Sequence, residues 1–141
     1  MSPARISPAL RKEVRERAKR CCEYCLLPEE QAFFPHEPDH IVATKHGGQG
    51  VPDNLALACF DRNRFKGSDI ASIDPESGEL TPLFNPRTQE WSEHFSIAGG
   101  RIDPRTAIGR VTGLVLKLNL PGRGEVREIL ATIGRYPGKS K

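Results

Sequence analysis

The stretch that decides the fold begins Asp39-His40-Ile41-Val42-Ala43 and passes through the loop Lys45-His46-Gly47-Gly48-Gln49-Gly50. It continues as Leu55-Ala56-Leu57-Ala58-Cys59 and ends in Asp61-Arg62-Asn63-Arg64-Phe65-Lys66. The first piece reads as a short extended segment. The glycine-rich piece is a strong breaker. Leu55, Leu57 and Cys59 alternate onto one face, as in a strand. Asp61 suits the N-cap of a short helix that runs past Asn63 to about Lys66. The order is therefore strand, long loop, strand, helix.

Working outward, residues Ser7 to Arg20 predict a helix. Ser7 suits its N-cap, Pro8 suits the first helical position, and Leu10, Val14 and Ala18 make one apolar stripe. Its other faces are charged, which fits either a solvated amphipathic helix or a basic helix lying near phosphates. A knuckle, Cys22-Glu23-Tyr24-Cys25, and a Pro-rich stretch through Phe33, Phe34, Pro35 and Pro38 lead into the central stretch. On the other side, Leu80 to Trp91 predicts turns and short strands. Trp91, His94, Phe95 and Ile97 have the look of packing residues at strand spacing. Two helices are expected after them. One opens at Pro104 and Thr106 and runs through Asn119, and one spans Gly124 to Tyr136, with Gly138-Lys139-Ser140-Lys141 frayed beyond it. The expectation is an α+β chain forming a single domain over residues 1–141. Its core covers about 18–70, with a C-terminal extension of strands and helices over about 71–137.

Composition narrows the function classes. The chain has 141 residues, 37% hydrophobic and 28% charged, enough for one core and too mixed for a disordered chain. A net charge of +3 is compatible with a nucleic-acid partner without demanding one. Basic residues crowd Arg5 to Arg20, and Arg62, Arg64 and Lys66 form a second cluster. No apolar run reaches the roughly 20 residues a membrane helix needs, and no apolar stretch follows the basic N-terminus. No membrane partner and a cytoplasmic location are expected. In a reducing compartment Cys21, Cys22, Cys25 and Cys59 read as metal ligands or plain thiols rather than disulfides. No βαβ pattern surrounds Cys22-x-x-Cys25, which argues against a thioredoxin-like redox pair.

Phosphodiester hydrolysis needs a base to activate water, a metal to offset developing charge, and cations to hold the backbone. The central stretch offers all three. Asp39 can give a hard oxygen ligand to Mg²⁺ or a similar ion. His40 suits a general base near neutral pH. The amide oxygen of Asn63 can complete a metal site, and Lys66, one turn further on the same helix face, can meet a phosphate.

With these residues in order, the chain resembles the HNH endonuclease family. The resemblance rests on Asp39-His40-Ile41, Gly47-Gly48, Asn54-Leu55, Cys59 with Asn63, and Lys66-Gly67, preceded by Cys22-x-x-Cys25, over roughly residues 10 to 70. The stretch from Ile73-Asp74-Pro75 through Leu83-Phe84-Asn85-Pro86-Arg87 to His94-Phe95 is similar to the tail of a bacterial subgroup of that family. The resemblance implies a ββα-metal core that hydrolyses DNA to a 5′-phosphate and a 3′-hydroxyl. It implies one divalent ion, Mg²⁺ or Mn²⁺, held by Asp39 and Asn63, with His40 as the base. Asn54 would brace the loop and orient His40.

The chain departs from the family pattern at Arg62. The family's structural zinc sits on two Cys-x-x-Cys knuckles, and the second here is Cys59-x-x-Arg62. Guanidinium has no lone pair to give a metal. Three readings follow: zinc is lost from Cys22, Cys25 and Cys59; zinc persists on three sulfurs plus another ligand; or Arg62 contacts phosphate beside Arg64 and Lys66. An inactive nucleic-acid-binding module of the same fold is the alternative to an enzyme, and a thiol regulator using Cys21, Cys22 and Cys25 ranks below both. His36, three residues before Asp39, reads as a solvent-facing or hydrogen-bonded residue of the Pro-rich loop rather than a metal ligand, and His94 reads as structural. Sequence specificity, DNA against RNA, and oligomeric state are not legible here.

Overall fold

The computed structural model describes residues 6–138, so Arg5 and residues 139–141 lie outside it. Helix α1 (Pro8–Arg17) opens as expected, with the Ser7 hydroxyl accepting from the Leu10 N–H at 3.1 Å. It stops three residues before the expected Arg20. Lys19 and Arg20 take left-handed backbone angles (φ 54° and 58°), which turn the chain back to deliver the knuckle at Cys22.

Strands β1 (Glu37–His40) and β2 (Leu55–Ala58) pair antiparallel, with Asp39 opposite Ala56 and His40 opposite Leu55. β1 begins earlier than the expected Asp39 and ends at His40, although the Ile41 N–H still bonds the Asn54 carbonyl at 2.8 Å. Helix α2 (Phe60–Lys66) follows β2 directly, with Cys59 rather than Asp61 at its N-cap. The remaining elements are β3 (Ala71–Ile73), β4 (Leu80–Pro82), α3 (Trp91–His94), β5 (Phe95–Ala98), β6 (Arg101–Pro104), α4 (Ala107–Val115) and α5 (Arg123–Thr132). The Trp91–His94 segment, expected at strand spacing, is a short helix running into β5. Each sheet has two antiparallel strands: β1–β2, β3–β4 and β5–β6. The chain is α+β.

All four residues of β2 are buried, which strand alternation alone does not explain. One face, Leu55 and Leu57, packs on Val14 and Ala18 of α1. The other, Ala56 and Ala58, joins a larger cluster with Cys22, Tyr24, Cys25, Cys59, Phe84, Phe95, Ile102, Val111 and Leu118. That cluster draws on both halves of the chain. Polar ties reinforce it. Glu23 receives the Leu57 N–H at 2.9 Å and is also ion-paired to Arg87. The Trp91 indole N–H donates to the Tyr24 carbonyl at 2.9 Å.

Candidate functional site

β1 carries Asp39 and His40 at consecutive positions, whose side chains leave the strand on opposite faces, and α2 folds back onto it. Lys66 settles which face of α2 looks at β1. Its ammonium lies 3.1 Å from Asp39 Oδ2 and donates to the His40 carbonyl at 2.9 Å. Asn63 lies three residues earlier, one turn back on that face. Tyr24, from the middle of the cysteine knuckle, donates its hydroxyl to Asp39 Oδ2 at 3.3 Å. Burial raises the Asp39 carboxyl above its ordinary value, and the Lys66 ammonium opposes that shift.

Asn54 braces the loop. Its amide oxygen accepts from the Val42 N–H at 2.9 Å, and its NH₂ donates to the Val42 carbonyl at 3.0 Å and the Gln49 carbonyl at 2.9 Å. Val42 stands two residues beyond His40, so the segment leaving β1 is fixed from both sides. Gly48 completes the arrangement. A Cβ there would meet the Val42 carbonyl oxygen at 1.7 Å, so the close approach of the two segments requires glycine.

The matching of donor to ion can be judged at this site. Asp39 Oδ1 and the Asn63 amide take no hydrogen bond among the described residues, leaving two hard oxygens free. His40 Nε2 is buried without a hydrogen-bond partner. The same holds for His36 Nδ1 and the Nε atoms of Arg17, Arg62 and Arg87, so it is the neighbours of His40 in sequence that single it out. Asp39, Asn63 and His40 therefore fit a divalent ion and an activated water.

The cysteine group is a different case. The sulfurs of Cys22, Cys25 and Cys59 all lie within 4.8 Å of one another, with Cys25 and Cys59 at 3.7 Å. Arg62 is only 1% exposed. Its Nη1 reaches the Leu118 carbonyl at a long 3.5 Å, and its Nε has no partner. Hydrogen bonds from Cys22 and Cys59 hold Cys25 well below the ordinary thiol range, and the Arg62 charge acts in the same direction. A cation stands where the fourth sulfur would be, so the residues do not complete a closed four-ligand zinc site.

Arg62 and Lys66, expected as phosphate contacts, both point inward; Lys66 is 2% exposed. The reason is charge pairing, since Lys66 lies against the buried Asp39 carboxylate and Arg62 Nη2 lies 3.8 Å from Asp61 Oδ2. Of the three basic residues only Arg64 is exposed. His36 is buried and its Nε2 meets the Leu27 carbonyl, and His94 Nδ1 meets Thr106 Oγ1 at 2.6 Å; both are structural.

The family model for HNH endonucleases matches residues 22–69, from the first knuckle to just past α2. Over these residues, about a third of its length, the chain matches an HNH domain. The family is one of nucleases, and nucleic acid is the substrate class it implies. No curated protein and no solved structure is detectably similar to the chain. Within the HNH domain, the roles of Tyr24 and Glu23 were passed over in the sequence. Both sit inside the Cys-x-x-Cys knuckle, and only their partners 15 and 34 residues on reveal them.

Proposed function

We propose that the chain is a metal-dependent endonuclease that hydrolyses DNA phosphodiester bonds. His40 activates water, and Asp39 and Asn63 hold one divalent ion, Mg²⁺ or Mn²⁺. The observation that carries the reading is the unpartnered Nε2 of His40 in the strand that also presents Asp39, a carboxylate clamped by Lys66 and Tyr24. When bound, the ion offsets charge on the phosphate and the departing oxygen. The chain's own residues do the rest. His40 accepts the proton of the attacking water at its free imidazole nitrogen. Lys66 is a positioning residue, holding the Asp39 carboxylate and the His40 carbonyl in one grip. Asn54 fixes the loop against which His40 is set. Arg64, on the exposed side of α2, is the basic residue of this cluster that solvent reaches, and it can meet the backbone of the substrate.

A supercoiled plasmid tests the proposal. Wild type in Mg²⁺ or Mn²⁺ is expected to give relaxed circles, and EDTA to abolish them. His40→Ala is expected to slow the reaction by roughly 10²- to 10⁴-fold, the range a general base contributes. Intact plasmid in every lane, from protein with a native circular dichroism spectrum, refutes the enzyme. Retained DNA affinity in that case would assign an inactive binding module.

A further inference from the structure

Beside the helix that carries Asn63 runs an exposed row of aromatic and cationic side chains. Phe33 and Phe34 meet edge to face, with ring centroids 4.8 Å apart. Phe34 meets Phe60 at 4.6 Å with the rings tilted by 35°. The Arg64 guanidinium lies over both Phe60, at 5.7 Å from the ring centre, and Phe65, at 4.4 Å. Lys117 lies over Phe65 at 4.9 Å. The row is open to solvent: Phe33 is 92% exposed, and Phe34 and Phe60 are each 47% exposed. Beside Phe33, Phe34 and Phe60 is a groove of about 470 Å³, closed on its far side by Arg123 and Val126 of α5. The one carboxylate on its wall, Asp61, is already paired with Arg123 and Arg64.

Clustered, exposed rings of this size cost free energy in water and mark a binding surface. Its chemistry selects the occupant. A surface meant for an apolar protein partner has no need of cations laid along its rings. A run of π faces with cations at one end suits a chain of flat bases on a phosphate backbone. In a duplex the base faces are hidden in the stack, so exposed rings can engage only unpaired bases. Phe60 stands one helical turn before Asn63, which puts a base held there next to the proposed metal ligand.

We propose that Phe33, Phe34, Phe60 and Arg64 form a stacking platform for unpaired nucleotides, so that the HNH domain takes single-stranded or locally opened nucleic acid. The role of this strand as a substrate rests on the nuclease reading; its binding does not.

The test is fluorescence anisotropy with the full-length His40→Ala chain in EDTA, using a labelled oligo-dT and a duplex of equal length. The single strand is expected to bind at least about tenfold more tightly than the duplex. Phe33→Ala, at an exposed position that leaves the core untouched, is expected to weaken single-strand binding about five- to hundredfold. Phe33→Trp is expected to retain it. Equal affinity for duplex and single strand, or no effect of Phe33→Ala and Phe60→Ala, overturns the platform. So does a dimer in sedimentation that Phe33→Ala dissolves while oligonucleotide affinity stays put, which makes the patch a protein interface. The two readings fail separately. Wild type that nicks plasmid but shows no single-strand preference removes the platform alone. Single-strand binding by a chain that cuts nothing removes the nuclease alone.

Discussion

Asn54 shows how one amide sets the geometry of a site without touching the reacting atoms. It spends its oxygen on the Val42 N–H and its two amide hydrogens on the Val42 and Gln49 carbonyls. An alanine there hands three partly exposed backbone groups over to water and frees the loop from β1. Asn54→Ala is expected to lower the nicking rate roughly 10- to 100-fold, the usual effect of losing a residue that orients a ligand or base. A folded Asn54→Ala chain that cuts at the wild-type rate contradicts this. Lys66 is the opposite kind of residue. It looks in sequence like a surface cation, yet it pairs with Asp39 inside the domain.

At the scale of the element, the second knuckle is where this HNH domain departs from its family pattern. Cys59 stands between β2 and α2, at the N-cap of the helix, with its sulfur near those of Cys22 and Cys25, while Arg62 brings a charge in place of a ligand. Three sulfurs leave a tetrahedral zinc one ligand short, and a guanidinium has no lone pair to supply the fourth. Protein purified without chelators is therefore expected to carry well under one zinc per chain. Arg62→Cys, which restores the fourth sulfur, is expected to take up one zinc per chain and to melt at a higher temperature, a gain that EDTA removes. Stoichiometric zinc in the wild type would show that three sulfurs suffice. The same element explains the aromatic row, because Phe60 and Arg64 are spaced i, i+4 and stand together on the outer side of α2.

At the scale of the whole molecule, the C-terminal elements are fastened to one another and to the HNH domain by buried charge. Asp74, just after β3, accepts both the Nε and Nη2 of Arg110 on α4, at 2.9 and 3.0 Å, along with the backbone N–H groups of Glu76 and Ser77. The Arg110 guanidinium holds the Asp74 carboxyl well below the usual carboxylate range. A carboxyl depressed on folding contributes its stability in full above its unfolded pKa of about 3.9, and loses it as pH falls below that. Asp74→Asn is expected to lower Tm by a constant amount above about pH 5, and by progressively less below about pH 4. Melting curves from pH 3 to pH 7 check this, and a difference that stays the same throughout refutes it. Glu23 with Arg87, and Trp91 with the Tyr24 carbonyl, fasten the knuckle to the later segments in the same way.

Local signals alone determined the strand–loop–strand–helix order, the caps at Ser7 and Thr106, and the adjacency of Asp39 and His40. Each depends on residues within a few positions of one another, where backbone sterics and short hydrogen bonds decide. The spacing of Asn54, Asn63 and Lys66 could be read for the same reason. Only the tertiary structure decided what the cations do. Whether Lys66 and Arg62 face water or a buried partner depends on Asp39, 27 residues earlier, and on Leu118, 56 residues later. The boundaries of α1 and β1 were set by the turn that delivers the knuckle and by the Asn54 clasp. The aromatic row was invisible in sequence because Phe34 and Phe60, 26 residues apart, meet only in the folded chain. Long-range placement of charge and apolar surface is a property of packing, which no local pattern encodes.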